Sequence, residues 1–365
     1  MANVIVTGGA GFIGSKLCEE LSIEGHQVLC VDNLQTSSFT NIAPLSAYPN
    51  FHFNQWDVEL PLNFVESVDR IYNLACPASP IHYQTDPVRT MRTNVLGSIN
   101  VLELARRTGA RVLQASTSEV YGEPEVHPQP EDYRGCVTSF GPRSCYDEGK
   151  RAAESLFFDY SRMYGVDIRI ARIFNTYGPR MAENDGRVVS TFILQALKGE
   201  LVTMFGSGTQ TRSFCFVSDM VRGLRTLMES EDVVGPCNLG NPEEFTIAEL
   251  AAMIGDILNC EIKLNFLELP QDDPTRRCPD ISKARRHLGW QPKVKLDEGL
   301  RRTIPYFDGV LKAKRRSTRL LPSKLLKRAI QEPVMPLGGL GVWPHLHNAT
   351  PQPGTSLSAL SKAIS

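Results

Sequence analysis

The sequence predicts an α/β protein, a doubly wound parallel sheet with a smaller C-terminal substrate-binding lobe. Three observations predict it. Short apolar runs alternate with helical stretches through the first half of the chain, as strands buried on both faces of a parallel sheet do. The first such run ends in the glycine-rich turn Thr7-Gly-Gly-Ala-Gly-Phe-Ile-Gly14, which opens the first helix. Beyond Asn175 the alternation loosens into Gly- and Pro-rich joints at Gly178, Gly206, Gly240 and Gln271.

In chain order, residues 4–7 read as the first strand, 12–24 as the first helix and 27–32 as the second buried strand. Further strands are expected near 51–57, 70–75, 111–116 and 167–174, with helices over 88–108 and 145–164. The second half predicts helices over 188–198, 218–228, 247–258 and 296–307. The expected organisation is a nucleotide-binding domain of the Rossmann type over 1–174 and a substrate-binding lobe over 175–310, some of which is free to return to the sheet. A tail over 311–365 begins basic, with eight Lys and Arg and no acid over 312–328, and ends rich in Pro, Gly and Ser. Disorder is the first reading of that tail, and a short basic amphipathic helix over 323–330 touching an acidic membrane surface is the second.

Composition sets outer bounds. The 365 residues carry a net charge of −1, and the basic cluster leaves an acidic body, which argues against nucleic-acid binding. Nine cysteines occur without a C-x-x-C pair or metal spacing, and Cys18, Cys30, Cys76, Cys215 and Cys237 sit in apolar segments as small buried thiols would. The first strand starts too early for a signal peptide, and no apolar run approaches 18 residues. A reduced, soluble, cytoplasmic protein is expected.

Gly8, Gly11 and Gly14 stand where a dinucleotide fingerprint needs them: one for the turn, one for backbone approach to a pyrophosphate, one for helix packing. Phe12 and Ile13 lie between them at the helix start, and Asp32 ends the second strand. A carboxylate there accepts from a ribose diol and repels a 2′-phosphate, favouring NAD over NADP. Asn33, Thr36, Val58, Leu74, Thr93 and Ala115 join the expected cofactor set, with Asp57 placed to meet the adenine edge. Tyr146 and Lys150, four residues apart, share a helix face, where an ammonium can lower a phenol pKa from about 10. They follow the strand ending in Thr117, Ser118 and Glu119; Ser118 or Thr117 can bond the reacting hydroxyl, while Glu119 suggests a second chemical step.

These motifs resemble those of the UDP-glucuronate decarboxylases (UDP-xylose synthases) of the extended short-chain dehydrogenase/reductase superfamily. The resemblance covers about residues 3–307. It rests on residues 7–14, 74–80, 116–122, 141–151, 172–180, 185–190, 210–214 and 271–280, of which the Thr-Ser-Glu triplet, the Tyr-Asp-Glu-Gly-Lys run and the Arg277 segment are the specific ones. It implies that Tyr146 takes the sugar 4-hydroxyl proton, that NAD is reduced and regenerated in each cycle, and that Glu119 and Arg277 manage the carboxylate and the C5 proton. It further implies that Asn175, Arg187 and Arg212 meet the UDP moiety, that Arg92 meets the sugar, and that the 88–108 and 145–164 helices pair two copies into a homodimer. Two residues depart from the family pattern: Cys76 stands where a Ser is usual, and Cys278 where a Lys is usual. The alternatives are a nucleotide-sugar 4-epimerase, which needs no Glu119, a 4,6-dehydratase, which usually has Asp in place of Ser118, and a non-catalytic NAD-sensing protein.

Overall fold

The structure is a computed structural model, which describes residues 1–269 and 276–320. The 323–330 helix, the Pro-rich end and the Gln271 joint lie outside the described residues. The chain runs β1 (Asn3–Thr7), α1 (Phe12–Ile23), β2 (Gln27–Asp32), β3 (Phe51–Gln55), β4 (Arg70–Asn73), α2 (Pro80–Thr85), α3 (Pro87–Thr108), β5 (Arg111–Thr117), α4 (Ser144–Tyr164) and β6 (Ile168–Ile173). It continues through β7 (Thr176–Tyr177), α5 (Val188–Lys198), β8 (Val202–Phe205), β9 (Thr211–Ser213), β10 (Cys215–Phe216), α6 (Val217–Glu229), β11 (Cys237–Leu239) and β12 (Glu244–Thr246). The last elements are α7 (Ile247–Leu258), β13 (Leu264–Leu267), β14 (Arg276–Arg277), α8 (Ser282–Leu288) and α9 (Leu296–Leu320).

Seven strands form one sheet in the order β11-β6-β5-β4-β1-β2-β3, and every neighbouring pair is parallel. The chain leaves β1 toward β2 and β3, then crosses to β4 on the other side. That reversal opens a crevice at the carboxyl ends of β1 and β4, where such sheets bind ligands. Alternate residues of β1 feed opposite layers: Val4 and Val6 pack with α1, α6 and the C-terminal lobe, and Ile5 packs with α3 and α4. Asp86 caps α3 by accepting from the Arg89 amide, Pro87 fits its first turn, and Gly109 ends it at φ +74°. Thr246 and Glu249 cap α7 reciprocally.

Strand β11 belongs to the sheet although it lies in the sequence of the C-terminal half; it extends the β6 edge, with Cys237 opposite Ala171. Two expectations are corrected. The basic stretch beginning at Lys312 does not leave the fold at 311, because α9 carries it to Leu320. Arg and Lys are good helix formers, and the i,i+4 pairs Asp297–Arg301, Glu298–Arg302 and Asp308–Lys312 support the turns. Cys76 is half-buried rather than a core thiol, whereas Cys18, Cys30, Cys215 and Cys237 are buried as expected.

All the residues expected to act in chemistry precede α9. Removing residues 321–365 is therefore expected to leave kcat and KM unchanged. Loss of activity in a truncated chain that keeps the parent circular dichroism and melting profile would put part of the tail in the site.

Candidate active site

One cavity of about 1190 Å³ opens along the carboxyl ends of the sheet strands and runs on beneath the C-terminal lobe. Its floor at one end is the turn between β1 and α1. Gly8 holds φ +68°, and a Cβ there would come within 2.8 Å of the Leu74 and Ala75 backbone. A Cβ on Gly14 would stand 2.2 Å from the Gly8 carbonyl oxygen, so this glycine lets α1 close onto the turn. Gly11 is the N-cap of α1 and offers no side-chain cap, and the first turn carries no acid. The opening amides of the helix thus face the cavity without a competing anion, the arrangement a pyrophosphate requires.

At the end of β2, Asp32 is nearly buried and lines the same cavity. Its carboxylate accepts from the Ala10 amide at 3.0 Å, the Leu34 amide at 2.8 Å and the Ser37 hydroxyl at 2.7 Å. These bonds fix the carboxylate, which a ribose diol can share. Asn33, Thr36, Val58, Leu74, Thr93 and Ala115 line the cavity together with Phe12 and Ile13. Asp57 does not. It accepts from the Glu59 amide at 2.9 Å, from Asn33 at 3.1 Å and from Arg89 at 2.8 Å, and these bonds outweigh burial and hold its carboxyl below the usual range. The flanking Trp56 and Val58 take its place in the lining.

Midway along the cavity, β5 delivers Thr117 into a 3-10 turn, Ser118–Tyr121. The Thr117 hydroxyl accepts from the Glu119 amide at 3.2 Å and so caps that turn. Opposite, α4 presents Tyr146 and Lys150 on one face, as the spacing predicts. Lys150 is buried and donates to the Ala115 carbonyl at 2.9 Å, with its Nζ 5.9 Å from the Tyr146 ring centre. The expected lowering of the phenol is not what dominates. Burial pushes the Tyr146 phenol well above its usual value, with a hydrogen bond to Thr117 acting the other way, and burial pushes the Lys150 ammonium down. The reason is desolvation: both groups are buried at the base of the cavity, which opposes the charged form of each.

Glu119 makes ion pairs with two guanidiniums, those of Arg277 and Arg143. Burial pushes this carboxyl up, but Arg277 and Arg143 outweigh burial and hold it at about 2. Arg277 also donates to Ser118 Oγ at 3.4 Å and to the Gly122 carbonyl at 3.0 Å. Sequence reasoning had Glu119 and Arg277 but missed Arg143; its signal was its place three residues before Tyr146 at the start of α4. It also missed Tyr83, which stacks on Tyr146 with ring centres 5.0 Å apart and planes 5° from parallel. Behind β5, Glu154 takes a bidentate pair from Arg172 at 2.8 and 2.9 Å and a 2.5 Å bond from Ser116, bracing the strand end.

Asn175, Arg187 and Arg212 line the far half of the cavity. Arg187 bonds Asp185, and Arg212 donates to the Thr211 carbonyl at 2.9 Å. Arg92 does not reach the cavity. It lies on the exposed side of α3 and pairs with Glu59 at 2.8 Å, because the α3 face toward the cavity is taken by Thr93.

Asp147, next to Tyr146, has a buried Oδ1 without a hydrogen-bond partner. Burial first and the Glu119 charge second push its carboxyl up to about 7. An unfolded Asp titrates near 4, so the stability associated with its neutral form is complete below about pH 4 and is lost as pH rises through 7. Asp147→Asn is therefore expected to raise the unfolding free energy at pH 8 by at least about 1 kcal/mol, a gain that shrinks toward pH 5. Urea titrations at both pH values check it, and equal stability at pH 8 would contradict it.

The chain is similar to known proteins over most of its length. The sequence profile of the GDP-mannose 4,6 dehydratase family matches residues 5–303. UDP-glucuronic acid decarboxylase 3 of Arabidopsis thaliana is 57% identical over 298 residues, covering 81% of this chain and 86% of that protein. The chain belongs to the UDP-glucuronic acid decarboxylase family. A vertebrate member of that family, UDP-glucuronic acid decarboxylase 1 of Danio rerio, is 54% identical over 304 residues, covering 83% of this chain and 72% of its own. Among solved structures, UDP-glucuronic acid 4-epimerase from Bacillus cereus, in complex with UDP-glucuronic acid and NAD, superposes with a TM-score of 0.77 at 29% identity, covering 84% of this chain and 99% of that one. Of the two residues that depart from the expected pattern, Cys76 lines the cavity and Cys278 does not.

Proposed function

We propose that this protein is an NAD-dependent carboxy-lyase that converts UDP-glucuronate to UDP-xylose and CO2 through a 4-keto intermediate. The observation that carries this reading is the joining of two sets of groups in one cavity, the Tyr146–Lys150–Thr117 group and the Arg143–Glu119–Arg277 group. The first set suits proton transfer at a hydroxyl, and the second suits a carboxylate. The glycine turn, the uncapped α1 and Asp32 fit NAD, which when bound takes a hydride from the sugar C4 and returns it.

Tyr146 takes the 4-hydroxyl proton as its phenolate, while Thr117 and Ser118 orient that hydroxyl. The phenolate forms by loss of the phenol proton to solvent against the effect of burial, favoured by the Thr117 hydrogen bond, the Lys150 ammonium and the positive ring of a bound NAD. Lys150, anchored on the Ala115 carbonyl, sets the electrostatics of the phenol. Once C4 is a ketone, the C5 carboxylate is β to it, and CO2 leaves with its bonding electrons delocalised into an enolate, which takes a proton from solvent at C5 before the C4 ketone is reduced again. Arg277 and Arg143 bind the negative charge of this substrate, and Glu119 holds the two guanidiniums in register. A carboxyl held at about 2 is ionised at neutral pH, so Glu119 serves better as an anchor and electrostatic partner than as a proton donor. Asn175, Arg187 and Arg212 bind the UDP end, where cationic forks match diphosphate oxygens. Incubation with UDP-glucuronate should release one CO2 for each UDP-pentose formed. A C4-epimeric UDP-hexuronate without CO2 would instead make the protein a 4-epimerase.

Asp32 leads to an expected cofactor preference. Calorimetry should give NAD(H) at least about tenfold tighter than NADP(H), since a 2′-phosphate would meet a buried carboxylate. Equal or tighter NADP binding would remove Asp32 from this role.

The protein is further proposed to act as a homodimer through α3 and α4, whose outer faces expose Val88, Leu96 and Met163 while Leu102 and Phe157 serve the core. Sedimentation at micromolar concentration tests this, and a single monomeric species would end it. Among the described residues no helix is long and apolar enough to cross a membrane. All nine cysteines are free thiols, which supports a reducing compartment such as the cytoplasm.

A further inference from the structure

Away from the cavity, side chains from three separate segments converge. His127 lies in the loop that follows the 3-10 turn, Glu244 opens β12, and Cys278 follows β14. His127 Nε2 is 2.8 Å from Glu244 Oε2, and the donor atoms of all three residues lie within 4.8 Å of one another. We propose that His127, Glu244 and Cys278 form a binding site for a thiophilic divalent cation of the Zn2+ class.

The donor set selects the ion. A thiolate and an imidazole suit Zn2+ and disfavour Mg2+ and Ca2+, which prefer oxygen throughout. The size also fits: metal–ligand bonds of about 2.0–2.3 Å in a tetrahedron put neighbouring donors about 3–4 Å apart. Side-chain rotations of less than an ångström or so bring the three atoms into that range. A carboxylate and a thiolate neutralise the ion, with the Cys278 proton passing to solvent when it binds. Exposed His127 leaves room for water as the fourth ligand.

The surroundings hold these side chains ready. Thr211 Oγ1 donates to Glu244 Oε1 at 2.7 Å, which leaves Oε2 for the ion. Gln129 ties the His127 loop to the Cys278 strand: its amide donates to the Cys278 carbonyl at 2.9 Å, and its side-chain oxygen accepts from the Cys278 amide at 2.9 Å. Cys278 Sγ lies 3.3 Å from the Pro242 carbonyl, on the side of β12 that carries Glu244. Because Cys278 directly follows Arg277, an ion here clamps the strand that carries the partner of Glu119.

The test uses the full chain, stripped with a chelator and dialysed. Zn2+ titrated by calorimetry should saturate at one ion per chain, and H127A and C278S should each weaken binding by about tenfold or more. The Co2+ form should show a thiolate-to-cobalt charge-transfer band that C278S removes. Zn2+ should raise the melting temperature of the parent and not of H127A, a surface substitution that leaves the core intact. Absence of saturable binding overturns the proposal. So does saturable binding that both variants retain, which would mark an unrelated site, and so does binding lost in C278S but kept in H127A, which would reduce the site to a single thiol.

Discussion

Tyr146→Phe should lower turnover by about 10²–10⁴-fold, the range that one positioned acid/base group supplies, with NADH formation and CO2 release depressed together. The ring of Phe fills the same slot against Tyr83, so cofactor and nucleotide binding should persist. Only the hydroxyl that bonds Thr117 is removed. Loss of the first step removes the second, because CO2 can leave only after C4 is a ketone. Stopped-flow absorbance with parallel CO2 trapping measures both. A variant that still releases CO2 near the parent rate would mean that another group takes the 4-hydroxyl proton.

Glu119→Gln and Arg277→Ala should separate the two steps. Each is expected to depress CO2 release by about 10²-fold or more, the size of a lost electrostatic stabiliser, with a smaller effect on NAD and UDP binding, because Glu119 and Arg277 sit beside Ser118 rather than at the glycine turn. The two variants differ in pH dependence. Arg277 is the largest influence holding Glu119 down, so in Arg277→Ala burial and Arg143 act alone and the carboxyl must titrate higher than about 2. Residual activity should then acquire an acid limb at a pH where the parent shows none. Decarboxylation at the parent rate in both variants would leave the carboxylate-handling role without support and favour a 4-epimerase.

The parts of the fold legible in the sequence were those with enough length to show a period. β1, β2 and β5 are strands of five to seven residues, each with an apolar stretch that marks it, and α5 and α7 match their expected bounds. β7, β10 and β14 have two residues each and show no period at all; they exist because a neighbouring backbone passes close by. α2 has six residues and begins with Pro80. The site divides in the same way. Gly8, Gly11, Gly14, Asp32, Tyr146 and Lys150 are legible because one turn or one helix fixes their spacing. The pairing of Glu119 with both Arg143 and Arg277 is a tertiary fact, since Arg277 arrives from a strand far along the chain. Asp57 and Arg92 have the right residue types at plausible positions, yet each is engaged by a nearer opposite charge, Arg89 and Glu59.

Strand β11 bears on how the chain is made. During synthesis, the sheet through β6 can assemble while one edge of β6 still shows bare amides and carbonyls, and it stays so until Leu239 has emerged. Such an edge is a template for pairing with another nascent chain. The same strand supplies Asn238, whose side chain accepts from the Tyr121 hydroxyl at 2.8 Å and donates to the Gln129 carbonyl at 2.9 Å. The late-arriving strand thus both seals the sheet and fixes the loop next to the Ser118–Tyr121 turn, so a ribosome paused between β6 and β11 would hold an intermediate that is exposed to misassembly and cannot yet have a finished cavity.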